Sequence, residues 1–321
     1  MRPHRRATAA AVIMLGMLLA GCASGGGGVP SGSGGAPSRP TTGQATGPTA
    51  SAAASSGASG AVQHVVVIVD ENKPATSIIG NTQAPYLNGL ASQYARASRY
   101  SAITHPSLPN YLALTSGTTG GIRSDCAPGG SCLVTGPNLA DSLVKAGLSW
   151  RMYAESMPKP CDPCDPGEYA VKHNPFLYYP SVTHDAVSCA QHVVPFTQFA
   201  TDLSSAPGLP AFSFISPNLC NDMHDCSVAT GDAWLAREVP AILASPSFTA
   251  QRSLLVITFD EGDSADNIVA CVFAGPAAKR GFVSAKPYTH YSLLKTVENG
   301  LGLPALTHED AAAAPMSDLL R

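Results

Sequence analysis

Five short apolar runs constrain this chain more than anything else in it: HVVVIV at 64–69, WRMYA at 150–154, AFSFIS at 211–216, SLLVITF at 253–259 and VACVFAG at 269–275. Each is too short for a buried helix and rich in β-branched or aromatic residues, so each predicts a strand buried on both faces. Helical patterns fall near 85–96, 108–116, 138–146, 230–244 and 290–301, with Pro240 expected to disturb the fourth. Strand and helix alternate, which predicts an α/β sandwich around a mainly parallel sheet. In such sheets ligands bind beyond the carboxyl ends of the strands. The polar clusters lie at those ends: the first run leads into Asp70, Glu71 and Asn72, the fourth into Asp260, Glu261 and Asp263, and the third into PNLCNDMHD at 217–225.

The N-terminal part has a different character. Arg2, Arg5 and Arg6 precede the apolar run AAVIMLGMLLA at 10–20, which is too short to span a bilayer and predicts an export signal over 1–21. The run closes on LAGC at 19–22, a sequence that resembles the lipobox of bacterial lipoproteins, with Cys22 as the lipidated residue. An ordinary signal peptide with a chance cysteine is the simpler alternative. Residues 23–62 are almost wholly Gly, Ser, Ala, Thr and Pro, a composition that cannot bury enough apolar surface to offset its ordering entropy. They predict a flexible tether with a mean reach on the order of 35 Å. The expected protein is therefore exported and lipid-anchored to the outer face of the bacterial cell membrane, with one large domain over 63–321.

Removing 1–21 takes away three of the 19 basic residues and none of the 22 acidic ones, leaving a net charge of −6. That balance argues against nonspecific nucleic-acid binding. Nine cysteines minus Cys22 leave eight, and an even number in an exported chain predicts disulfides. Short loops closed by Cys126 with Cys132 and by Cys220 with Cys226 are expected. Connectivity among Cys161, Cys164, Cys189 and Cys271 is not deducible, and CDPC at 161–164 leaves zinc or redox chemistry as a weaker alternative.

Carboxylates on neighbouring strand ends repel one another unless a cation lies between them. Glu71, Asp260 and Glu261, with the amide oxygen of Asn72, make an oxygen-rich set suited to Ca, Mg or Mn, and nearby histidines shift the preference toward Zn or Fe. The bland alternative is that each acidic pair caps the following turn. Ser107 lies between two prolines in THPSLPNYLAL at 104–114. It fits the N-cap of a helix starting at Leu108, with Pro109 tolerated in the first turn. Free N–H groups at such an end favour a bound phosphate, and a nearby metal would favour the alkoxide of the serine.

The segment SLPNY at 107–111 looks like the nucleophile motif of nucleotide pyrophosphatases in the alkaline phosphatase superfamily, where threonine takes the place of the serine. DEN (70–72), THPSLPNYLAL (104–114), YAVKHNPF (169–176), PNLCNDMHDCSVATGDAWL (217–235), LLVITFDEGD (254–263) and THYSLLKTVENGLGLP (289–304) occur in that order. Together they resemble the bacterial phosphoesterase family of acid phosphatases and phospholipases C.

The resemblance implies an alkaline-phosphatase-like three-layer α/β/α sandwich and hydrolysis through a covalent phosphoserine. It makes Ser107 the nucleophile, and His173 and His224 catalytic. Glu71, Asn72, Asp260, Glu261, Asp222 and His290 become ligands of a divalent metal, and Asn72, His105, Asn110 and His173 substrate contacts. The implied substrates are phosphate monoesters, phosphoinositides among them. A phospholipase C-type diesterase is the enzymatic alternative, and a noncatalytic surface lipoprotein that binds phosphate or a partner is the alternative from another class. The chain ends soon after its last motif, which inclines the expectation toward the monoesterase.

Overall fold

The computed structural model describes residues 61–205 and 208–321. The signal, Cys22 and nearly all of the tether lie outside these residues. The described chain builds one eight-stranded sheet: β1 His64–Asp70, β2 Ala95–Ser101, β3 Trp150–Ala154, β4 Val193–Pro195, β5 Phe212–Ser216, β6 Ser253–Phe259, β7 Cys271–Ala274 and β8 Phe282–Thr289. Their order is β4-β3-β5-β1-β6-β7-β2-β8, and β7 alone runs against the rest.

All seven residues of β1 and of β6 are buried, as are all five of β5. Their apolar runs fit a sheet covered on both faces, where each buried Val, Leu or Ile contributes about 1.5–3 kcal/mol. The five helices that answer the predicted patterns are α1 Pro85–Gln93, α2 Ser107–Ser116, α3 Leu139–Lys145, α4 Val228–Ala244 and α5 His290–Leu301. They flank the sheet, α2 packing on α5 and α1 on α4. Every residue of α2 is buried, so this helix belongs to the core. No helix among the described residues is long and apolar enough to cross a membrane.

Three strands are additional to the five expected. β2 (ARASRYS) and β8 (FVSAKPYT) are too polar for an apolar-run criterion. β8 lies at the sheet edge, where Pro287 and Lys286 are tolerated because one side needs no ladder partner. β4 has three residues. The pattern near 85–96 stops as a helix at Gln93, and Ala95 begins β2. Pro240 does not break α4: it lies on the exposed side, and the carbonyl it leaves unpaired, that of Ala236, is on an exposed residue open to water.

Cys126–Cys132 and Cys220–Cys226 are disulfides, as expected, and Cys161 pairs with Cys189. Closing that 28-residue separation contributes about 3–4 kcal/mol in the chain-entropy account. Cys271 corrects the expectation of full pairing: it is a buried thiol in β7, surrounded by the sheet.

The topology positions the site. β5, β1 and β6 are adjacent, so the loops after them meet at one end of the sheet. Because β7 is reversed, β2 points the same way and delivers residues 102–107 to that end. The loop after β6 folds back tightly: a Cβ on Gly262 would lie 2.9 Å from the Cα of Pro74, so only glycine lets the β6 loop touch the β1 loop.

Candidate active site

Ser107 is the first residue of α2 and is 1% exposed. Its hydroxyl does not cap the helix, contrary to expectation. It donates to Glu71 Oε2 at 3.1 Å, while Leu108 N–H is capped by Asp125 Oδ1 at 3.0 Å, from a loop seventeen residues on. One helical turn after Ser107, Tyr111 donates its hydroxyl to the other oxygen of Glu71 and stacks on His173, with ring centroids 5.2 Å apart.

His173 is held between two carboxylates: Nε2 lies 3.2 Å from Glu71 Oε2 and Nδ1 lies 3.4 Å from Asp222 Oδ2. Asp222 is tied in turn to its surroundings, its Oδ1 accepting from His224 N–H at 2.8 Å and its carbonyl from Glu71 N–H at 2.8 Å. Asn72 adopts a left-handed backbone with φ 52°, which asparagine tolerates better than most residues. Its N–H donates to Asp260 Oδ1 at 3.1 Å.

Charge crowding dominates the electrostatics. Burial, reinforced by Glu71 and Glu261, holds Asp260 well above the usual carboxylate range. Burial pushes Asp222 up to about 6 despite the pull of His173. For Glu71 burial acts in the same sense, but the His173 charge and the Tyr111 hydrogen bond outweigh it and leave this carboxyl below its ordinary value. Burial opposes the His173 charge, yet Glu71 and Asp222 raise that imidazole to about 10. An imidazolium clamped in this way orients the carboxylates and is poorly suited to release a proton to a leaving group near neutral pH.

The residues present fit a divalent cation. Asn72 Oδ1, Asp222 Oδ2, Asp260 Oδ2 and His173 Nε2 are buried without a hydrogen-bond partner. One atom each from Glu71, His173 and Asp222 lie within 4.8 Å of one another. Orphaned oxygens among like charges are costly to bury unless a cation satisfies them.

Two expected site residues have other work. His290 was expected to ligate the metal, but its Nε2–H donates to the Asp260 carbonyl at 2.5 Å and its Nδ1 accepts from Tyr100 hydroxyl at 2.8 Å. No lone pair remains for a cation, and burial lowers the ring to about 4, so it stays neutral and positions the Asp260 turn. Asn110 was expected to touch substrate. Its Oδ1 accepts from Ile103 and Thr104 N–H, and its Nδ2 donates to the carbonyls of Thr104 and Pro106 and more weakly to Glu261 Oε2 at 3.4 Å, so the amide shapes the loop before Ser107 and ties it to the β6 loop.

Glu261 and His105 form a separate pair at the rim. Nδ1–H of the exposed imidazole donates to Glu261 Oε2 at 2.7 Å, and burial carries Glu261 up to about 7 against that pull. His224 is half-buried, its ring centroid 6.2 Å from that of His173, with Nδ1 2.6 Å from Asp225.

Tyr111, Lys172 and Asp125 belong to the site and were not singled out from the sequence. Tyr111 follows Ser107 by four residues, the spacing that shares a helix face. Lys172 adjoins His173 and pairs with Asp125 at 2.9 Å. No local signal marks Asp125, which arrives from the loop preceding the Cys126–Cys132 disulfide.

Comparison with known proteins places the chain in a family. The chain is 40% identical over 259 residues to the phosphatidylinositol-3-phosphatase of Mycobacterium tuberculosis, covering 80% of this chain and 82% of that protein. It is 36% identical over 241 residues to a phosphate-repressible acid phosphatase of Penicillium chrysogenum, covering 71% of this chain and 57% of that longer protein. Among solved structures, a lipoteichoic acid synthase from Listeria monocytogenes superposes with a TM-score of 0.57 at 10% identity, covering 79% of this chain and 77% of that one. A protein of the alkaline phosphatase superfamily from Vibrio parahaemolyticus gives 0.56 at 12% identity, over 78% and 69%. Residues 77–304 match the phosphoesterase family, and the chain belongs to that family of phosphate-ester hydrolases.

Proposed function

We propose that this protein is a metal-dependent phosphomonoesterase acting through a phosphoserine at Ser107. The observation that carries the reading is the Ser107 hydroxyl: buried at the start of a core helix and hydrogen-bonded to a carboxylate that lies among the unpartnered oxygens of Asn72, Asp222 and Asp260. A structural serine would satisfy its helix end; this one is turned away from it.

Glu71, Asn72 and Asp260 would hold the divalent ion, with Asp222 and, once the ion has displaced its proton, His173 completing the set. When bound, the ion offsets carboxylate charge and supplies Lewis-acid polarisation of oxygen. The chain's own residues do the rest. Glu71 orients the hydroxyl, accepts its hydrogen bond and takes its proton as Oγ attacks phosphorus in line. The O–P bond to Ser107 forms, and the bond to the departing alcohol breaks. The alkoxide needs a proton, and the rim imidazoles of His105, held by Glu261, and His224, held by Asp225, are the groups placed to give one. Water then attacks phosphorus and gives a proton back to the rim imidazole, the P–Oγ bond breaks, and the serine recovers its proton from Glu71.

Phosphoinositides are the substrate class suggested by the mycobacterial relative's name. The lipobox-like LAGC and the low-complexity tether support an exported protein anchored through Cys22 to the outer face of the cell membrane. The test is phosphate release from a chromogenic monoester beside hydrolysis of the matching diester, with Ser107→Ala as control. Ser107-dependent monoester turnover supports the proposal; preferential diester cleavage moves the assignment to a phospholipase C-type activity.

A further inference from the structure

Asp125 occupies a position that an anionic substrate would be expected to want. Its Oδ1 accepts from Leu108 N–H at 3.0 Å, the backbone donor immediately after the nucleophile, and its Oδ2 accepts from Lys172 Nζ at 2.9 Å. These contacts close a ring around Ser107. From Leu108 N–H the ring runs through Asp125 to Lys172, then to its neighbour His173, to Glu71, and back to the Ser107 hydroxyl. Within it, Leu108 N–H and the Lys172 ammonium are the donors that a phosphoryl oxygen on Ser107 could reach. Both are taken by a carboxylate.

The pair is only partly withdrawn from water, with side-chain exposures of 24% for Lys172 and 27% for Asp125, so it can open without unfolding the core. Asp125 lies at the edge of the loop closed by Cys126–Cys132, and Tyr178 hydroxyl holds the Cys126 carbonyl at 2.6 Å. The loop is fixed at its base, while the carboxylate at its edge is free to turn.

We propose that Asp125 is a substrate-mimicking carboxylate that surrenders Leu108 N–H and Lys172 to the incoming phosphoryl group, and so lowers the affinity of the site for phosphate. Binding becomes an exchange of anions. Displacing the carboxylate costs a dianion and a monoanion the same, so Asp125 sets how tightly phosphate is held and leaves the choice between them to Lys172 and the helix end. The inference rests on the phosphate-ester reading of the site and names a residue that tunes its affinity.

The experiment uses the full chain purified with its divalent cation, as wild type, Asp125→Asn and Asp125→Glu. Asn keeps an acceptor for Leu108 N–H and removes the charge; Glu restores the charge. Two readouts are taken: calorimetric binding of inorganic phosphate, and kcat and KM for a chromogenic monoester and its matching diester. Asp125→Asn should bind phosphate about fivefold to tenfold more tightly and lower the monoester and diester KM by similar factors. Asp125→Glu should return both toward wild type. Weaker or unchanged phosphate binding in Asp125→Asn overturns the inference. Absence of turnover in the wild type overturns the phosphomonoesterase proposal instead, and phosphate binding still decides the role of Asp125.

Discussion

Two buried polar clusters lie near opposite ends of β3, and they are built on opposite principles. Near its start, Asp202 accepts from the Arg151 guanidinium, from Tyr153 hydroxyl at 2.7 Å and from Gln198 Nε2 at 3.1 Å. Burial acts against the Asp202 charge, but these donors overcome it and hold the carboxyl below its usual range. Beyond the carboxyl ends of the neighbouring strands, Glu71 and Asp222 share one imidazole, and Asp222 and Asp260 leave oxygens unpaired. The satisfied cluster stabilises the fold. The frustrated one is retained at a cost in stability, the usual mark of a site waiting for a ligand. A recess of about 560 Å³ adjoins the satisfied cluster, so cavity size is a poorer guide here than unpaired buried oxygens.

The sharpest way to break this contrast is Ser107→Ala. It should cut turnover by roughly 10,000-fold or more while leaving the melting temperature near wild type. A folded variant with wild-type kcat removes the nucleophile from Ser107. Next in size, exhaustive chelation should abolish activity reversibly, and re-adding a divalent cation should raise the melting temperature as carboxylate repulsion is relieved. Full activity in verified metal-free protein would show that the orphaned oxygens serve something else.

Paired charge removals then sharpen the comparison through their signs. Asp260→Asn should lower kcat at least about a hundredfold yet raise the stability of the metal-free protein by about 1 kcal/mol, because it removes one of several crowded charges. Asp202→Asn should leave kcat alone and cost about 1–3 kcal/mol, because it strips Arg151 of its carboxylate partner. Chemical denaturation of both proteins reads the two signs; equal signs would dissolve the distinction. The smallest effect is in pH. The folded-state pKa of Asp202 is depressed, so its contribution is fully present above the ordinary aspartate value of about 3.9 and is lost as pH falls through the lower folded value. The stability gap between wild type and Asp202→Asn should therefore close under acid, and a gap unchanged into that range would assign it to packing.

Much of the site was legible because its chemistry is local to strand ends. Glu71, Asn72, Asp260 and Glu261 follow buried runs directly, and Ser107 begins a helix whose apolar sequence marks it as core. His290 shows where this fails. A histidine at a helix start inside a segment that resembles a family motif reads as a ligand, but which ring nitrogens are already bonded depends on Tyr100 and the Asp260 carbonyl, 190 and 30 residues away. Asn110 failed for the same reason. β2 and β8 were missed because an edge pair needs little apolar sequence when its neighbours supply the ladder.

By itself, then, the sequence determined the α/β class, the end of the sheet where chemistry is placed, two disulfide loops and the nucleophile candidate. These follow from period, apolar run length and short-range spacing, which act along the chain. Only the tertiary structure decided the reversal of β7, the neutral structural role of His290, the clamp on His173 and the reach of Asp125 to Leu108 N–H. Those depend on how a few hydrogen bonds and charges are shared among segments far apart in sequence, and such competition is settled only once the segments have met.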